Sequence, residues 1–322
     1  MKHYWSSHAA KLDRWFSASS VERVREAVRT WYGPPIPILQ TPRGQDFYAV
    51  AGGDIIGPAM SGGMGFTSLS DMIAEATTGK HRIWNFNKAG ATGVVGVTNS
   101  LWGLGAQPAA GANASAAPGG DAPTDATTGA FLLDNVSTDT RHLTAGYVTC
   151  EDAGNTLLLY DRIFQVNKTM ASTATEAVTG VPTRYQSITA TAADYIGGNF
   201  LFVEVGGTAL SATAHNWTVC LYTDQAAAAS TLPSLTGNSA AIVRRLDHPA
   251  QQWFAPLETG DTGIRTLTQM QASASVAAGV INFVIGHPLG FMPIPIANLM
   301  IPHDFLNTPF NLPRIFDDAA MA

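Results

Sequence analysis

Charged side chains are scarce in this 322-residue chain: Asp, Glu, Lys and Arg make up 13% of it, against 46% apolar residues. An ordinary soluble domain carries about a quarter charged residues. Gly, Ala, Ser and Thr replace part of the missing polar surface, and burial against other subunits is the expected source of the rest. Cysteine is nearly missing as well, with Cys150 and Cys220 the two in the chain. Both lie in strand-like runs, YVTCE and WTVCLY, and free buried thiols are expected there rather than a disulfide. No run approaches the ~20 apolar residues of a membrane span, so no membrane partner is expected. The opening residues, MKHYWSSHAAKLDRW, hold no apolar signal-peptide core.

Catalytic signatures fail at the positions their chemistry needs. Gly79-Lys80 has Ala74 where a P-loop needs its first glycine, and His81 where it needs a metal-binding hydroxyl. Ser61 has Gly63 after it but Ala59 before it, so the strained turn of a nucleophile elbow is not encoded. Asp261-Thr262-Gly263 has the triplet of aspartic proteases, but it follows Glu258-Thr259-Gly260 and reads as a turn. The eight histidines are dispersed, with no HExxH or CxxC spacing to hold zinc. Asp247-His248 and His303-Asp304 are neighbours in sequence, which in a strand places them on opposite faces. No enzymatic activity and no cofactor are expected.

What is present begins with an uneven charge. Residues 1–32 hold six basic and three acidic groups, a net of +3; the remainder hold 12 basic and 21 acidic, a net of −9. A basic end on an acidic body fits a weak contact with nucleic acid or an acidic subunit, or simply a solvated helix face. Ser19 with Glu22 makes a capping box, and Val21, Val24, Val28 and Trp31 then recur at helical spacing until Gly33-Pro34-Pro35 ends the helix. Trp15 sits on the apolar face of a helical segment just before it. PPIPILQTPRG reads as an extended arm.

Four regions are expected: a helical and extended region over 1–104, an Ala/Gly/Pro/Thr-rich segment over 105–130, a β domain over 131–290, and a Pro-rich apolar arm over 291–322. The segment GAQPAAGANASAAPGGDAPTDATTGA cannot bury much apolar surface of its own, so its order is expected to depend on contacts with other chains. Strands are predicted near 143–151, 156–167, 184–190, 199–205, 216–223, 239–245, 264–274 and 280–287. In NWTVCLYT, Trp217, Val219 and Leu221 are placed on one face by the period of two. Eight strands between turn residues, with few helices, predict a mainly β fold: an antiparallel, jelly-roll-like β-sandwich behind a helical and extended N-terminal region. The tail, with six prolines from Pro288 to Pro313, is too interrupted for an inner strand and too apolar for water. It is expected to dock on a neighbouring subunit, with wrapping over its own domain as the alternative.

The ordered N-terminal arm, the low-charge Ala/Thr/Gly-rich body and the β-rich second half resemble virion structural proteins of tailed bacteriophages. The stretch GDTGIRTLTQMQASASVAAGVINFVIGHPL looks like the closing hairpin of jelly-roll phage head and decoration proteins. The absence of a long helix after residue 80 departs from the usual capsid fold and shifts weight to a decoration, cement or accessory shell protein. The resemblance implies a virion location after synthesis in the host cytoplasm, and partners that are copies of the chain and other virion proteins. Contact candidates are Trp15, Val24, Val28, Trp31, Phe291, Ile294, Ile296, Phe305, Phe310 and Phe316. The alternative is a carbohydrate-binding module of a fibre or cell surface, which would require Trp84, Trp102 and Trp253 to form an open platform.

Overall fold

The structure is a computed structural model that describes residues 48–49, 55–56, 83–91, 93–133, 135, 141–185, 198–248, 252–276, 279–305 and 313–322. The expected N-terminal helices, with Trp15, Val24, Val28 and Trp31, and the candidate Phe310 lie outside the described residues. The chain divides into two compact units, residues 1–83 with 307–312, and residues 84–306 with 313–322. Within the first, β1 (Tyr48–Ala49) pairs antiparallel with β2 (Ile55–Ile56).

The second unit begins well before residue 131. Its strands are β3 (Asn87–Lys88), β4 (Ala106–Gln107), β5 (Arg141–His142), β6 (Ala145–Val148), β7 (Asn155–Thr169), β8 (Glu176–Ala177), β9 (Phe200–Gly206), β10 (Asn216–Asp224), β11 (Ala229–Thr231), β12 (Leu235–Thr236), β13 (Ile264–Ala272), β14 (Val280–Ile294), β15 (Ile301–Asp304) and β16 (Arg314–Ile315). All pairings of these strands are antiparallel, and no helix occurs among the described residues. One sheet has the order β7-β14-β9, the other β11-β10-β13-β8 with β12 also on β10. The pairing is nested: β7 with β14, β8 with β13, β10 with β11. The free edge of β9 takes residues 244–247, through Arg244 N to Val205 O, Val205 N to Arg245 O and Asp247 N to Val203 O.

Both sheets contribute to one core. Ile163, Phe164, Leu201, Val203, Ile281, Phe283 and Ile285 come from the first, and Trp217, Tyr222, Ile264, Leu267 and Met270 from the second. Trp217 meets Phe283 edge-on, with centroids 4.7 Å apart. At the edge of this core the buried Lys168 reaches across to Glu176 at 2.5 Å.

Two sequence expectations need correction. Trp217 and Leu221 do not share one face of β10: Trp217, Cys220 and Tyr222 are buried and Leu221 is half-buried. The register shifts between Trp217 and Val219 and again between Leu221 and Tyr222. Each extra residue inverts the face that follows. Residues 239–245 are not a regular strand, because Ala240 (φ 58°) and Arg244 (φ 77°) break the extended path. The tail enters the sheet, but only at an edge, consistent with the expectation that its prolines bar an inner strand: Pro288 and Pro293 lie within β14. Partner β9 ends at Phe200, opposite Gly286, so both prolines fall where β14 has a strand on one side only.

The Ala/Gly/Pro/Thr-rich segment is also not held only by other chains. It lies along β7, with Asp121 and Gln165 exchanging backbone bonds and Asn167 N donating to Ser115 O. A sequence poor in large apolar groups is ordered here by backbone pairing with a strand already fixed by the core. Gly111 fits beneath Trp102, where a Cβ would collide with the indole. The C-terminal arm likewise packs on its own unit. β15 pairs with β6, β16 with β5, and Ala320 and Ala322 bond Arg162 and Tyr160 on the outer edge of β7. The wrapping alternative therefore holds for the described part of the arm.

Candidate functional site

Two features stand out: a pair of buried ion pairs beneath the covering segments, and a set of exposed apolar side chains. The ion pairs start from adjacent residues of β7, whose side chains take opposite sides of the strand. Arg162 is fully buried on the face away from the core. Its Nη2 donates to Glu204 Oε1 at 2.5 Å, its Nε to Gln165 Oε1 at 2.7 Å, and its Nη1 to the Tyr160 hydroxyl at 3.2 Å. The guanidinium lies 4.7 Å from the centre of the Trp102 ring. Asn282 donates to Glu204 and accepts from Ala114 N, while Gln165 donates to Asp121, so the network ties residues 102–121 to the sheet. Burial would push the Glu204 carboxyl up, but the Arg162 charge and its hydrogen bonds outweigh this and hold it below the usual carboxylate range. A cleft beside it is lined by Trp102, Gly111, Asn113, Glu204, Arg244 and Asn282, among others.

On the other side, Asp161 takes a bidentate pair from Arg184, at 2.7 and 2.9 Å, and a bond from Ala320 N at 2.9 Å. Arg184 also donates to Pro123 O at 2.9 Å. The second pair thus fastens the C-terminal tail and the end of the Pro-rich segment to β7. Apart from Arg184 Nη1, which has no hydrogen-bond partner, the polar groups of both networks named here are directed at protein atoms, as a structural clasp requires.

A His–Asp contact exists, though not between sequence neighbours. His215 Nε2 lies 2.8 Å from Asp247 Oδ2. That carboxylate also accepts from Trp217 Nε1 at 2.9 Å and, through Oδ1, from Asn238 N at 2.6 Å. The His215 Nδ1 faces Thr213 O at 3.4 Å, so the imidazole serves as a strut between loops. His248 points elsewhere, accepting from Val203 N at 2.8 Å, and burial pushes its pKa down to about 4. His287 stacks on Tyr185 and meets Asn199 at 2.7 Å; burial lowers it to about 4 as well. Among the described residues no group of three or more His, Cys, Asp or Glu could hold a metal. Cys150 and Cys220 are free; burial pushes the Cys220 thiol up to about 12.

The surface feature lies where β7 and β14 extend beyond β9 as a two-stranded ribbon, with the β6–β15 pair packed on its Met292 face. Ile296 (54%), Leu299 (47%) and Met300 (63%) are exposed in the loop after β14; Tyr147 (66%) is exposed on β6, and Phe291 (51%) lies on the opposite face of the ribbon against Trp253. Two contact candidates, Phe291 and Ile296, are therefore open surface. Ile294 and Phe305 are buried in their own unit. Phe316 packs on the main core and edge-on to Tyr185, and it too is internal. Tyr147 is not marked out in the sequence, whereas Leu299 and Met300 fall within the apolar arm expected to dock on a neighbour. The signal available was the placement of three apolar residues around the Asn298 turn, which forms with φ 55°.

The tryptophans considered for sugar stacking do not share a role. Trp102 is buried and donates to Ala112 O, Trp84 donates to Leu132 O, and Trp253 is half-buried against Phe291. The described residues define a mainly β, antiparallel unit with two buried ion-pair networks at its centre and exposed apolar side chains in the loop after β14. No protein-family model, curated protein or solved structure matches the chain.

Proposed function

We propose that the chain is a structural component of a bacteriophage virion, a capsid decoration, cement or shell protein that works through contacts between subunits. The observation that carries this reading is the exposed apolar loop after β14, with Ile296, Leu299 and Met300 each about half exposed or more, on a chain with 13% charged residues. Patches of this kind on soluble proteins mark interaction surfaces. The strand order supports a jelly-roll sandwich, since β7 to β10 alternate between the two sheets and β7 pairs with β14. Viral shell proteins use that architecture, and so do lectins and cupins, so the fold contributes by analogy only. The buried clasps fit a shell role, because they fix covering segments without presenting chemistry to solvent.

The test is a loop variant, Leu299→Ser with Met300→Ser, compared with the wild type for sedimentation and for incorporation into phage particles. The expected result is that the wild type associates and incorporates, while the variant folds with a similar melting temperature and does neither. A wild-type chain that stays monomeric and is absent from purified particles would overturn the reading.

A further inference from the structure

The β7–β14 ribbon has two backbone edges, and they differ in kind. Tyr160 exchanges both of its backbone bonds with Ala322, and Arg162 N donates to Ala320 O, so these residues turn their N–H groups away from β14. Strand alternation turns Leu158 and Thr156 the same way. The register agrees: Tyr160 faces Pro288 and Thr156 faces Pro293, and neither proline has an N–H to give β7. The β14 edge of the ribbon is thus interrupted by prolines, a common guard against strand addition. The β7 edge carries Asn155, Thr156, Leu157, Leu158 and Leu159, with no proline and no charge. No strand pairs with it there among the described residues.

We propose that this edge is a subunit contact, formed by antiparallel addition of β7 from a second copy of the chain around Leu157. Pairing about Leu157 sets Thr156 of one copy opposite Leu158 of the other, in two hydrogen-bonded pairs related by the twofold axis. Leu157 then faces Leu157 at the close, non-hydrogen-bonded position. The segment is self-complementary: it has no like charges to oppose each other, and half-buried leucines meet leucines. A partner with a charged strand would gain nothing from this composition, which is why a second copy is the occupant assigned. The inference rests on the reading that the chain acts through subunit contacts, and names one of them.

Thr156→Pro removes a donor from the free edge and none from the β7–β14 ladder. Thr156→Ala keeps the donor. In sedimentation of the full chain, wild type and Thr156→Ala are expected to dimerise, and Thr156→Pro to remain monomeric with an unchanged near-ultraviolet spectrum. Hydrogen exchange of the wild type provides a check that needs no variant. The Thr156 and Leu158 amides should become at least ten-fold slower to exchange as concentration rises through the dimerisation range. Dimerisation of Thr156→Pro equal to wild type, or exchange at Thr156 and Leu158 that ignores concentration, would overturn the pairing. A wild type that is monomeric alone yet present in virions would overturn the pairing and spare the virion reading. A dimer lost in Thr156→Pro, from a chain absent from virions, would do the reverse.

Discussion

Glu204 and Arg162 face each other nearly fully buried, and this fixes what their removal should do. Replacing one partner leaves a buried uncompensated charge, which costs about 3–5 kcal/mol. Glu204→Leu alone is therefore expected to lower unfolding free energy by that order, and Glu204→Leu with Arg162→Met to recover most of it, as read by urea denaturation. The depressed Glu204 carboxyl contributes stability that is present above its unfolded pKa and lost as pH falls through the folded one. His248 and His287, both lowered to about 4, act in the same direction. Their unfolded forms take up protons near pH 6.5, so each removes up to about 1.4 kcal/mol per pH unit between about 6.5 and 4. His215, raised by Asp247 against the effect of burial, works the other way: its stabilisation is present below pH 6.5 and fades above its folded pKa. Across pH 7 to 4.5 the two lowered histidines outweigh His215, while Glu204 acts mainly below that window and Asp161, raised by burial, opposes only towards the carboxylate range, so stability should fall on acidification from pH 7 to 4.5. Equal urea midpoints at the two pH values would contradict this. None of these partners was legible in the sequence, since Arg162 and Glu204 lie 42 positions apart and His215 and Asp247 lie 32 apart.

At the scale of elements, long strands with clear alternation were legible and their irregularities were not. Residues 156–167, 199–205, 216–223, 264–274 and 280–287 all fall largely within strands. The bulges in β10 escaped because nothing in WTVCLY marks where the partner slips by one residue. The covering segments escaped because composition reports apolar burial and says little about backbone pairing, which orders residues 115–121 and 319–322. In the isolated chain the amides of Gly111, Ala117 and Asp121 should therefore exchange well below random-coil rates; random-coil exchange there would contradict the placement. Gly111→Ala should destabilise by about 1–3 kcal/mol, the usual cost of forcing extra volume into a packed site. Deleting residues 313–322 removes the bond from Ala320 to Asp161 and bares the edge of β7. The truncated chain should melt several degrees lower as measured by calorimetry, and an unchanged melting temperature would show that the tail adds nothing to its own unit.

At the scale of the molecule, the mainly β, antiparallel class followed from the count of alternating segments and the lack of helical periodicity after residue 131. The boundary of the compact unit at Trp84 did not, because residues 84–130 have neither period and join the unit by lying on it. The low charge content pointed to buried subunit contacts, and the proposed contact rests on the exposed loop residues Ile296, Leu299 and Met300. Ile294, Phe305 and Ile315 of the described part of the arm are buried in its own unit, so the proposed surface is smaller than the prolines and phenylalanines of the tail imply. The most direct measurement is electron microscopy of purified phage particles carrying a label fused to this chain. The account predicts label at regular, symmetry-related positions on the particle, lost when Leu299 and Met300 are replaced by serine. Particles without label, with the wild-type chain recovered as a free monomer, would contradict it.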